Sequence, residues 1–148
     1  MKKIKLLFIS LLACLSLWAQ NDKQIIMKTT VSLRSMLGED YKRVELSAKD
    51  IRMADSLVNL YIVANYRHYD WTRKIDTYYE YYRQYAGYKE SPSKIIIFIN
   101  AYRRKASGEH YTPEEQFVSY KGGGSDYFQV KIDPQSKKCF DLNVNAPK

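Results

Sequence analysis

Cysteine, histidine and long apolar runs are all scarce in this chain, and each scarcity removes a class of protein. Of 148 residues only two are cysteine, Cys14 and Cys139, and only two are histidine, His68 and His110. Two cysteines, the first of them within the apolar run near the N-terminus, do not make the disulfide framework that staples small secreted domains. A metal site needs several Cys, His or carboxylate ligands at close spacing, and His68, His110 and Cys139 are scattered, so no metal is expected. No cofactor is expected either. The Gly122-Gly123-Gly124 run lacks both the lysine and helix start of a phosphate loop and the spacing of a dinucleotide fingerprint. The longest apolar run, residues 6–17, falls short of the roughly 20 residues that a transmembrane helix requires.

That short run is informative in another way. It follows Lys2, Lys3 and Lys5 and leads to the small residue Ala19, which gives the basic, apolar and cleavage parts of a secretory signal. Residues 1–19 are therefore expected to be a cleavable signal peptide, and the rest an exported protein of the periplasm or beyond. Leu11-Leu12-Ala13-Cys14 also resembles a lipobox, which would leave the protein anchored through a lipidated Cys14. Leu15-Ser16-Leu17-Trp18, however, prolongs the apolar run where a lipoprotein has a polar tether, and this favours ordinary cleavage.

Loss of the leader leaves Cys139 as the only thiol and lowers the formal charge from +8 to +5. Such a surface attracts anionic polymers weakly and without specificity, so no specific nucleic-acid partner is expected. The remaining length of about 129 residues suits one domain held by its own core. Residues 20–46 read as a loosely packed N-terminal arm with room for one short strand or helix, and 47–148 as the domain proper.

Ser47-Ala48-Lys49-Asp50 has the spacing of a capping box, with Leu46 and Ile51 at the staple positions, so a helix is expected from Ser47. Its core face is Ile51, Ala54, Leu57, Val58, Tyr61 and Ile62; Arg52, Asp55, Ser56 and Asn59 fall on the other. The tyrosine-rich run from Tyr78 fits either period and is read as a strand, paired through the turn at 90–93 with the apolar strand 94–102. Residues 103–113 read as an exposed loop. Residues 117–121 and 127–132 read as a hairpin about the glycines, followed by a turn at 133–136 and a last strand with Phe140, Leu142 and Val144 inward. The expected fold is α+β, one amphipathic helix packed on an antiparallel sheet of about four strands.

This order of elements resembles cystatin-like folds, although the Gln-x-Val-x-Gly loop of the cystatins is missing and protease inhibition is not implied. Four segments carry a closer resemblance: Tyr81-Tyr82-Arg83-Gln84-Tyr85-Ala86-Gly87-Tyr88, Ile97-Phe98-Ile99-Asn100-Ala101, the glycine loop with Tyr127-Phe128, and Leu142-Asn143-Val144-Asn145-Ala146. They are similar to small exported proteins of Bacteroides-like bacteria. The resemblance covers about the C-terminal half and implies compartment and fold, with no activity attached.

No catalytic residue is assigned. Cys139 pairs with neither histidine at any informative spacing and reads as a passive thiol, and Glu109, Glu114 and Glu115 read as solvated loop acids. The unusual feature is nine tyrosines between Tyr61 and Tyr88, interleaved with Arg67, Arg73, Lys74 and Arg83 and with Trp71. Rings beside cations suit recognition. Strand parity puts Tyr79, Tyr81, Arg83 and Tyr85 on one face, expected to be partly exposed and to bind ligand, and turns Tyr78, Tyr82 and Tyr88 toward the helix. The sequence thus reads as an exported, non-enzymatic binding module whose partner is an envelope ligand or protein. The alternatives are a small cell-envelope hydrolase or a weak polyanion binder.

Overall fold

A computed structural model of the chain describes residues 22–66, 74–75, 77–103 and 111–146. Residues 1–19, with the expected signal peptide, and both histidines lie outside the described residues. So do Trp71, Arg67, Arg73 and Glu109.

The elements run β1 (Gln24–Ile26), a single-turn α1 (Arg34–Leu37), β2 (Arg43–Val44), α2 (Ala48–Asn65), β3 (Tyr82–Ser91), β4 (Lys94–Tyr102), β5 (Tyr127–Asp133) and β6 (Lys138–Val144). Six strands form one mixed sheet in the order β1-β3-β4-β5-β6, with β2 also on β3. The α+β class is as expected. The sheet has six strands where about four were expected, because the arm 20–46 supplies β1, which runs parallel to β3, and β2, which runs antiparallel to it. The arm is part of the fold: Met27 and Leu33 are buried in a second core with Ala86, Tyr88, Ile96 and Phe98.

Helix α2 starts where the capping box places it. The Ser47 backbone N–H donates to Asp50 Oδ2 at 2.8 Å, and Asp50 N–H donates to Ser47 Oγ at 3.2 Å, which satisfies two donors that a helix start otherwise leaves free. The helix buries Ile51, Ala54, Val58 and Ile62 on one face of the sheet. Three rows of side chains in register meet it: Arg83-Ala101-Phe128-Val144, then Tyr85-Ile99-Val130, then Gly87-Ile97-Ile132-Cys139. Gly87 carries no Cβ because one would meet Leu46 Cδ2 and the Val44 carbonyl, each at 2.7 Å. Residues 31–41 and 113–118 cover the opposite face of the sheet. Strand β4 is therefore covered on both sides, as its unbroken apolar run requires.

Two local expectations are corrected. Residues 117–121 form no strand; side-chain amides fix the segment instead. Gln84 Nε2 donates to the carbonyls of Pro113 and Gln116 at 2.8 and 2.7 Å, and its Oε1 accepts from Val118 N–H at 2.9 Å. Asn100 Nδ2 donates to both Gln84 Oε1 and the Val118 carbonyl. The inward set of β6 is Cys139, Leu142 and Val144, while Phe140 faces the other way. A β-bulge causes this. Gln129 pairs with Asn143 but Lys131 with Phe140, so Asp141 and Leu142 both stand opposite Val130, and Asp141 takes a φ of 49°. One extra residue reverses the parity of everything before it.

Candidate functional site

Tyr81, Arg83 and Tyr85 do share one face, but it is the face under the helix. All three are fully buried, and Tyr79 is half-buried in the 3-10 turn Tyr78–Glu80 that precedes β3. The expectation of an exposed patch is thereby overturned, and the reason is Asp55. It follows Ile51 by four residues and precedes Val58 by three, so it belongs to the buried stripe and not to the solvated face where charge alone had put it. Its Oδ1 accepts from the Tyr78 hydroxyl at 2.7 Å and the Tyr85 hydroxyl at 2.5 Å, and lies 3.7 Å from Arg83 Nε. Gln24 Nε2 donates to its Oδ2 at 2.6 Å. Arg83 also donates from Nε to the Tyr85 hydroxyl oxygen at 2.9 Å and places its guanidinium over the rings of Tyr78 and Tyr79. Burial works against the Arg83 charge, yet Tyr85, Tyr78 and Asp55 more than offset it and raise its pKa. Burial pushes the Tyr78 and Tyr85 phenols well above their ordinary value. Here a buried charge finds its partners.

The tyrosines with the opposite parity divide as well. Tyr78 packs with the helix, whereas Tyr82 and Tyr88 lie on the far face. Tyr82, Tyr102 and Tyr127 stand in register across β3, β4 and β5, with Tyr82 stacked on Tyr102 and Tyr120 on Tyr127. Most of these aromatic rings pack against one another, and of the four only Tyr120 is more than half exposed, at 51%.

A surface cavity of about 440 Å³ opens elsewhere, between the outer flank of α2 and the tip of the β5–β6 hairpin. That size lies within the roughly 300–1,000 Å³ of small-ligand pockets. Leu57, Leu60, Tyr61 and Ala64 supply its apolar side. Their spacing of three and four residues makes a second apolar stripe beside the core stripe, and it continues into the open, since Leu60 is 66% exposed. Lys137, Lys138 and Cys139 supply the other side. Among the described residues no carboxylate is paired with Lys137 or Lys138, and Lys137 holds a φ of 55°, a conformation that favours glycine. The bulge at Asp141 is what turns Cys139 into the cavity wall. Burial pushes its thiol up to about 11 from an ordinary 9.0, so it is protonated at neutral pH and a poor nucleophile.

The groove sets an apolar wall beside Lys137 and Lys138, which have no carboxylate partner among the described residues, and includes a protonated thiol in its lining. No cluster of three His, Cys, Asp or Glu capable of holding a metal occurs among the described residues. Sequence reasoning missed the groove, although its signals were present as the second leucine stripe and the adjacent Lys137-Lys138.

No helix among the described residues is long and apolar enough to cross a membrane. No family model, curated protein or solved structure matches the chain.

Proposed function

We propose that the protein is an exported, non-enzymatic binding module, and that its ligand occupies the groove between α2 and the β5–β6 hairpin. One observation carries this reading: an open apolar wall lies beside two lysines that have no carboxylate partner among the described residues. A ligand with an apolar part and an anionic part complements both walls at once. The reading is favoured over a small envelope hydrolase because the thiol in the groove is held in its unreactive form, and among the described residues that line the groove none is a histidine or a carboxylate that could serve it as a base. It is favoured over simple polyanion binding because Leu60 and Leu57 offer nothing to a purely ionic partner. Export rests on the leader-like residues 1–19.

The test is occupancy of the groove by Nile red, an uncharged dye that brightens on apolar surfaces. The chain should enhance its fluorescence. Attaching a bulky maleimide to Cys139 at pH 9 should abolish the enhancement without changing the circular dichroism spectrum. Dye binding that is indifferent to the Cys139 adduct would overturn the assignment.

A further inference from the structure

We infer that the natural occupant of this groove is an acidic, amphipathic polypeptide segment of a partner protein, an inference that rests on the binding reading above. Three features of the groove select a polypeptide. First, the apolar stripe Leu57-Leu60-Ala64 runs seven residues along α2, about 10 Å at the helical rise, which matches two or three side chains of a segment lying alongside. Second, Lys137 and Lys138 both border the groove at the hairpin tip, where the carboxylates of a chain lying alongside meet positive charge. Third, the groove ends at β6, the last strand of the sheet, whose outer edge has no strand partner among the described residues. An extended peptide supplies what that edge lacks, main-chain donors and acceptors. The bulge at Asp141 interrupts the regular strand, and Lys138 and Cys139 before it border the groove. An anionic lipid complements the stripe and the lysines but not the strand edge, and a nucleic acid complements the lysines alone.

The backbone of Lys137 points the same way. A lysine in a left-handed conformation is less favourable than glycine would be, and its side chain makes no ion pair among the described residues that would offset this. A lysine in that place is explained by a contact that the isolated chain does not make.

The experiment uses the full chain and follows alkylation of Cys139, mapped by peptide mass, as a report of groove occupancy. The probes are a Glu-Leu repeat octapeptide, its Gln-Leu and Lys-Leu counterparts, and phosphatidylglycerol vesicles. The Glu-Leu peptide should slow alkylation at concentrations where the others do not. Exchanging both lysines in a Lys137→Glu, Lys138→Glu variant should weaken that protection by roughly tenfold, the product of two exposed ion pairs, and should transfer it to the Lys-Leu peptide. Because both lysines are exposed, the variant should fold as the wild type does, which circular dichroism checks. Equal protection by the Gln-Leu and Glu-Leu peptides would overturn the acidic character and leave the groove reading standing. Protection by vesicles alone would overturn the polypeptide. Failure of every probe, Nile red included, would remove the groove reading and this inference together.

Discussion

Asp55 in the helix and Arg83 in β3, 28 positions apart in the chain, meet as a buried ion pair with 3.7 Å between Oδ1 and Nε. Neither end is exposed to water, so each charge depends on the other and on the phenols around it. Replacing one partner leaves the other buried and uncompensated. Asp55→Asn should therefore cost about 3–5 kcal/mol of stability, whereas the combined Asp55→Leu, Arg83→Met exchange should recover most of it. Urea denaturation of the three proteins decides the matter. A single variant as stable as the wild type would show that the pair is not what holds α2 on the sheet.

The amides of Gln84, Asn100 and Gln129 stand in register across three strands, and Gln84 alone fixes three backbone groups of residues 113–118. Gln84→Leu should cost about 1–3 kcal/mol, because it strands buried carbonyls and an amide hydrogen. The same substitution should open residues 113–118 to limited proteolysis. Resistance to protease in a destabilised variant would mean that Phe117 and Val118, by packing, hold the segment without the amides.

For the Cys139 thiol, alkylation in the folded chain should rise with pH to a midpoint near 11, and in urea the midpoint should return toward 9. The sign for stability follows. The native state favours the neutral thiol, so this contribution is complete below pH 9 and disappears as pH rises through the interval from 9 to 11. A folded midpoint near 9 would mean that the groove does not shelter the thiol.

Lys137 sets stability against binding. Lys137→Gly relieves the left-handed backbone and should raise stability by about 0.5–1 kcal/mol, read as a higher midpoint in urea. The same variant should lose part of the protection that the Glu-Leu peptide gives to Cys139. Gains in both stability and peptide protection would remove the argument that the strain is kept for binding.

Local chemistry was enough to locate several elements from residue order alone. The capping box at Ser47 fixed the helix start because its hydrogen bonds join residues three apart. The run 94–102 announced a central strand, covered on at least one side, because alternation disappears where both faces are apolar. The turn after Asp133 was legible for a similar reason: the Asp133 carboxylate accepts the N–H groups of Gln135 and Ser136 within its own turn.

What residue order did not contain was the side on which each face would end. Tyr81, Arg83 and Tyr85 were correctly grouped, but a cation in the group made that face look solvated, since the carboxylate that buries it comes from a helix 28 residues earlier. Arm residues 24–26 and 43–44 carry too few residues to show a period, and they become strands only because β3 offers an edge to pair with. The parity of β6 was inverted by a single bulge at Asp141, and with it Cys139 passed from the expected outer face to the wall of the groove. Sequence by itself determined the helix, the central strand and the turns, whose interactions are short-range. Tertiary structure decided which charges are buried and where the groove opens, because both depend on pairings between distant segments that no local pattern encodes.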